Sequence, residues 1–291
     1  MKPPAFSYYD PRSIADAVGL LASLDNAKLL AGGQSLMPML NMRFVLPDHV
    51  IDLNRVDGLD HIRERGDAIE IGAMTRQRDI EFSDLVRRRC PLMHEAILQV
   101  GHRQTRNRGT LGGSLCHLDP SAELVTVAAA LDAEVDVTGK AGTRRIGFAA
   151  FPVAYMTPAL EPDELLTGVT LPCWRPGHGH AFVEFARRHG DFAIVSAAVL
   201  LEEDASGRVT RAAVTLGGMG PAPLRASDVE RALVGDTIEE KRLREVCESL
   251  RKLDAVEDIH APADYRRQLA TVLSRRAILK AHQRAAAGRA T

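Results

Sequence analysis

Two paired glycines stand in the first half of the chain, each behind an apolar lead-in: Ala31-Gly32-Gly33-Gln34-Ser35 and Thr110-Leu111-Gly112-Gly113-Ser114. A glycine pair reaches φ > 0 and lets other groups approach the main chain with no Cβ in the way. Successive N–H groups in such a turn form a concave anion site, and a following hydroxyl adds a donor. Two such turns could grip a diphosphate from two sides; each could equally be a plain turn. Neither fits G-x-G-x-x-G, nor G-x-x-x-x-G-K followed by Ser or Thr. A Rossmann dinucleotide fold and a P-loop nucleotidase thereby lose their main support.

The surroundings are electrically neutral, with 37 Lys+Arg against 38 Asp+Glu. Any diphosphate would be held by backbone and hydroxyl groups rather than by a basic field, and so balanced a charge argues against nucleic acid as a partner. No apolar run approaches the roughly 20 residues of a membrane span, and MKPPAFSYYDPRS lacks a secretory apolar stretch. Cys90, Cys116, Cys173 and Cys247 are widely separated, with no C-x-x-C pair. A reduced, cytoplasmic protein is expected.

Ser13 with Asp16 marks a helix start before Ile14, Ala17, Val18, Leu21 and Leu24. Residues 28–31, 50–53, 68–73, 134–138 and 165–171 read as strands, and 79–88, 92–100 and 124–131 as helices. Residues 108–114 read as a turn. The segment PCWRPGHG, 172–179, is the boundary candidate, giving domains of 1–175 and 176–291. Beyond it, 180–187, 193–201 and 209–216 read as three strands, followed by helices at 228–234 and 238–250. A long terminal helix is expected from Asp264, burying Tyr265, Leu269, Val272, Leu273 and Leu279, with a frayed AAAGRAT end. Partly segregated strands and helices indicate α+β.

Other chemistry finds weak support. His117-Leu118-Asp119 and His178-Gly179-His180 suit polar loops better than metal sites, and no H-E-x-x-H is present. Ser35 and Ser114 lack the G-x-S-x-G elbow. Arg87–Arg89, Arg103, Arg106 and Arg108 form a basic patch, either a solvated face, a docking surface or an aid to a cofactor phosphate. Met37, Met39 and Met42 suit apolar packing.

Four segments in order, AGGQSLMPMLNMR, IGAMTRQRDIE, TLGGSLCHLDPSAEL and FARRHGDFAIVSAAVLL, resemble the FAD-binding medium subunit of molybdenum hydroxylases, the carbon monoxide dehydrogenase/xanthine dehydrogenase group. The resemblance covers nearly the whole chain. It implies a vanillyl-alcohol-oxidase-type (PCMH-type) FAD domain and a carbon monoxide dehydrogenase flavoprotein-type C-terminal domain with a three-stranded sheet and helices. By the same resemblance Ala31, Gly32, Gly33, Gln34 and Ser35, and Thr110, Gly112, Gly113 and Ser114, hold the FAD diphosphate. Leu29, Leu30 and Leu36 flank the first loop. His117 and Asp119 approach the ribityl and ring region, and Glu123 is an acidic contact. Leu166, Asp191 and Phe192 lie near the isoalloxazine. Many relatives carry a lysine near Glu184, so that contact departs from the family pattern.

The implied role is an electron-transfer oxidoreductase subunit with no catalytic side chain and no metal of its own. Molybdopterin and 2Fe-2S clusters would belong to a large and a small partner subunit, in a dimer of heterotrimers. A stand-alone FAD-dependent oxidase or reductase, and a nucleotide-binding assembly scaffold, are the competing functions.

Overall fold

The structure, a computed structural model, describes residues 1–289. The chain opens with a small parallel sheet. Ser7–Tyr9 (β1) leads to helix Ile14–Leu21 (α1), where Ser13 Oγ accepts from the Asp16 N–H at 3.1 Å, the expected cap. Ala27–Leu30 (β2), helix Leu36–Asn41 (α2) and His49–Asp52 (β3) follow, and the strand order is β1-β3-β2. α1 buries Ala17, Val18 and Leu21 against this sheet. β2 runs straight into the first glycine pair. That pair therefore stands at the carboxyl end of a parallel strand, where ligands of such sheets commonly sit.

A five-stranded antiparallel sheet forms the next layer. Ile62–Arg65 (β4) and Ala68–Gly72 (β5) precede six helices: Gln77–Phe82 (α3), Asp84–Arg89 (α4), Pro91–Ile97 (α5), Arg103–Arg108 (α6), Leu111–His117 (α7) and Glu123–Ala130 (α8). Glu134–Gly139 (β6), Gly142–Gly147 (β7), the small pair Pro152–Ala154 (β8) and Thr157–Pro158 (β9), and Leu165–Pro172 (β10) complete it, in the order β4-β5-β10-β6-β7. Two expectations are corrected here. The helix expected over 79–88 is broken at Ser83, whose hydroxyl caps α4 by accepting from the Val86 N–H at 3.2 Å. The second glycine pair is not a turn but lies inside α7. Thr110 caps that helix, its Oγ1 accepting from the Gly113 N–H at 3.1 Å.

The C-terminal part is a meander of Gly179–Phe185 (β11), Val195–Glu203 (β12) and Val209–Gly217 (β13). A two-residue strand, Leu224–Arg225 (β14), extends the expected three-stranded sheet by one short edge. Helices Ser227–Leu233 (α9), Glu240–Glu248 (α10) and Ala263–Arg289 (α11) cover one face. α5 and α8 cover the other, so that Phe182, Ala198, Leu200 and Ala213 share one core with the five-stranded sheet. Trp174, in the segment joining β10 to β11, is buried in that same core, with the Arg211 guanidinium 4.0 Å over its ring.

The buried stripe of α11 also differs from expectation. It runs through Arg266, Leu269, Ala270, Leu273, Ser274, Ala277, Ile278, Ala281 and Ala285, whereas Tyr265, Val272 and Leu279 are less enclosed. Small residues win because the helix lies almost on β11: a Cβ on Gly179 would meet the Ala281 carbonyl. The helix stays regular to Arg289, which pairs with Glu203, so residues 285–289 of the expected frayed end are ordered; Ala290 and Thr291 lie outside the described residues.

Candidate cofactor site

The two glycine pairs come together in space. A Cβ on Gly32 would strike the Arg108 carbonyl and lie 2.8 Å from Gly109 Cα, while one on Gly113 would sit 3.5 Å from Ala31 Cβ. The four glycines nevertheless serve different ends. Only Gly33 has φ > 0, at +74°. Gly112 is required by closeness alone, because a Cβ there would lie 2.7 Å from both Cβ and the carbonyl oxygen of Ala73.

Their hydrogen bonding is equally unequal. In the second segment the N–H groups of Leu111 and Gly112 donate to Thr75 O and Ala73 O at 3.1 and 2.8 Å, and those of Gly113 and Ser114 to the Thr110 hydroxyl and carbonyl. In the first, none of the N–H groups of Gly32, Gly33, Gln34 and Ser35 finds an acceptor among the described residues. Ser35 precedes α2 without a side-chain capping bond. The expected pair of equivalent backbone nests is therefore corrected to one open nest, at residues 32–35, faced by a segment that offers side chains.

Two residues that sequence reasoning missed lock these segments together. Arg76 donates from Nη1 to Arg108 O and from Nη2 to Asn54 Oδ1, both at 2.5 Å. Asn54 Nδ2 in turn donates to Ala31 O at 3.0 Å. Burial, then the neighbouring Arg108, holds the Arg76 guanidinium below its ordinary pKa. Arg76 lies inside the IGAMTRQRDIE segment that carried the resemblance, which was the available signal; Asn54 had none.

The remaining expected residues are spread over three places. Leu29 packs on the small-sheet core, and Leu30 Cδ1 stands 3.3 Å from the Cβ position of Gly33; Leu36 opens α2. His117 ends α7, its pKa lowered by burial and partly restored by Asp119, and Leu118 turns the chain at φ 54°. Asp119 Oδ1 accepts from the Ser121 N–H at 2.9 Å, and Pro120 O from the Gly218 N–H at 2.8 Å. This ties the segment after α7 to the end of β13. Glu123 then begins α8 almost fully buried, and burial pushes its carboxyl up to about 7. Leu166 is enclosed in the main core beside a register shift in β10.

Asp191 and Phe192 lie apart from these, on the β11–β12 connection. Phe192 is 56% exposed and Asp191 pairs with Arg187 at 3.6 Å. Gly190 (φ +88) folds this turn over His102, where a Cβ would strike the imidazole. The arginine patch is also divided: Arg106 points inward, donating to Glu81 at 2.9 Å and to Val100 O at 2.9 Å. Among the described residues no group of three His, Cys, Asp or Glu could hold a metal ion, and no helix is long and apolar enough to cross a membrane.

An open N–H nest at a strand's end, closed by a hydroxyl-bearing helix start, suits the diphosphate of a dinucleotide. The chain matches two family models: the FAD binding domain in molybdopterin dehydrogenase over residues 4–174, and the CO dehydrogenase flavoprotein C-terminal domain over 180–281. It is 39% identical to the 6-hydroxypseudooxynicotine dehydrogenase complex subunit alpha of Paenarthrobacter nicotinovorans, over 98% of this chain and 97% of that one. It is 36% identical to the carbon monoxide dehydrogenase medium chain of Afipia carboxidovorans, over 98% and 99% of the two chains. A quinoline 2-oxidoreductase structure from Pseudomonas putida 86 superposes with a TM-score of 0.94 at 36% identity, covering 98% and 99%. The chain belongs to the FAD-binding medium-subunit family of the molybdopterin dehydrogenases, as the flavoprotein component of an oxidoreductase.

Proposed function

We propose that this chain is the electron-transfer subunit of a heteromeric molybdenum hydroxylase, with residues 1–175 as its FAD domain and 176–291 as its C-terminal domain. The open N–H nest of residues 32–35 is the observation that carries the reading. A diphosphate there would accept from the backbone of Gly32, Gly33, Gln34 and Ser35 and from the hydroxyls of Ser35 and Ser114. Thr110 holds α7 in place behind it, and Arg76 with Asn54 fixes the spacing between the two segments. His117, Asp119 and Glu123 continue from α7 toward the C-terminal sheet and would flank the remainder of the cofactor. FAD held there would supply the redox chemistry between 2Fe-2S clusters of a small partner subunit and an external acceptor, while a large subunit would hold molybdopterin and substrate.

The protein's task is then to bind, orient and tune. Substrate choice would lie in another polypeptide. In support, relatives named for 6-hydroxypseudooxynicotine, carbon monoxide and quinoline resemble this chain at 36–39% identity over almost its whole length. A dimer of heterotrimers in the cytoplasm is the assembly this reading calls for. The test is anaerobic spectroscopy of the reconstituted complex and of the chain alone. Substrate should bleach the flavin absorption only in the complex. Bleaching in the isolated chain would favour a stand-alone oxidase, and FAD that stays oxidised throughout turnover would favour an assembly scaffold.

A further inference from the structure

The face of the C-terminal sheet that meets α8 changes character along its length. Phe182 lies opposite Ala198, and Ala198 opposite Thr215; the next row is Glu184, Ser196 and Gly217. α8 lays Glu123 and Thr126 against this polar end. Ser196 and Thr215 are completely enclosed, yet their hydroxyls meet no hydrogen-bond partner, and neither does the buried Oε2 of Glu184. A Cβ on Gly217 would strike Thr126 Oγ1 and lie 2.5 Å from Ser196 Oγ, so two hydroxyls converge over a residue that leaves them room. Unpaired buried polar atoms each cost about 1–3 kcal/mol, so three gathered at this end of the sheet call for a polar partner.

Among the described residues no cation pairs with either carboxyl. Burial is the main influence on both; Asp119 adds to it at Glu123, and Glu123 adds to it at Glu184. Arg266, on the far face, donates to Ile194 O at 2.5 Å, to Gly218 O at 2.9 Å and to Asp258 at 2.6 Å. Lys280 and Arg284 of α11 are engaged by Glu95 of α5, and the His117 ring of α7 is held toward its neutral form by burial. Burial and then Glu123 push Glu184 up to about 8 from an ordinary 4.5.

We propose that Glu123 and Glu184 form a proton-holding pair, which at neutral pH presents a carboxylic acid donor, beside the Ser196 and Thr215 hydroxyls, to the polar edge of the bound cofactor. The cofactor clause rests on the FAD reading above; the pair itself rests on the placing of both glutamates at the buried polar end where α8 meets the sheet. The two glutamates set the charge beside the ligand.

The experiment uses the flavin-loaded protein, within its complex if that is the form isolated. Infrared spectra between pH 6 and 9 should show a protonated-carboxyl carbonyl band that disappears as pH rises and is missing in Glu184→Gln. The bound-flavin absorption, read per FAD retained, should shift over the same range, and in Glu184→Gln and Glu123→Gln that shift should vanish. Stability gives a second reading. The folded chain holds the extra proton between the unfolded Glu value and about 8, so stability is greatest at the acid side and is lost as pH rises through the folded value. The folding constant should fall by up to about tenfold per pH unit there, and this slope should flatten in Glu184→Gln. No carbonyl band in the wild type at any pH overturns the pair, whatever the variants do. FAD retained with a pH-independent spectrum overturns the contact with the cofactor, and a wild-type complex that retains no FAD overturns the FAD reading itself.

Discussion

Gly33 and Gly112 are required for opposite reasons, and substitution should separate them. Gly33 has a left-handed backbone, φ +74°, with only the flexible ends of Met37 and Leu30 3.2 and 3.3 Å from its Cβ position, so Gly33→Val adds strain of roughly 1–3 kcal/mol where the nest must keep its shape. Gly112 has an ordinary φ but no room beside Ala73, so Gly112→Val overpacks the α7–β5 contact, at a cost of about 1–3 kcal/mol. The expected outcome is that Gly33→Val folds but loses FAD on desalting, whereas Gly112→Val lowers the melting temperature as well. Full FAD retention in Gly33→Val would remove the nest from the site. At this scale the sequence disclosed residue types but not their jobs. Both glycine pairs stood out, yet which one kept free N–H groups depended on Thr75 and Ala73, more than 30 residues upstream of α7. Asn54 and Arg76 were illegible for the same reason, since each acts on a carbonyl brought near only by the fold.

Elements were read best where one periodicity dominated. β6, β10, β12 and β13 alternate or run apolar and were found within two residues of their ends. α7 was hidden because two glycines weaken helix propensity by about 1 kcal/mol each relative to alanine; the Thr110 cap and burial of Leu111 and Leu115 offset this. The α11 stripe was misplaced because close approach to β11 selects alanine and serine over larger apolar residues. That docking has its own polar clamp. Glu95 of α5 accepts from Arg284 at 2.6 Å, from Lys280, and from the Phe182 N–H at 3.1 Å. Burial alone would raise its carboxyl, but these donors hold it below the ordinary value. Its contribution is thus present above the unfolded Glu range and is lost as pH falls through the folded value. Glu95→Gln should cost about 1–3 kcal/mol at pH 7 and much less at pH 3 to 4, read by denaturant unfolding. An equal loss at both pH values would show that shape, not charge, is what Glu95 supplies.

Across the whole molecule, three sheets meet around the segment from α7 to α8. The small parallel sheet brings the open nest, the five-stranded sheet brings α7, and the C-terminal sheet closes over Glu123 with Glu184, Ser196 and Thr215. The core beneath Trp174 joins the five-stranded and C-terminal sheets, while the small parallel sheet packs on a core of its own. The α+β class and the order of parts were legible because each half keeps its own pattern of strands and helices. The junction was not, because a polar seam between two layers leaves no periodic mark on either strand or helix. The measurement that decides the account is the flavin content of the protein after incubation with excess FAD and desalting, made on the chain and on the complex reconstituted with its partner subunits. Close to one FAD per chain, released unchanged on heating, is the predicted result. A reconstituted complex that retains no flavin would contradict it.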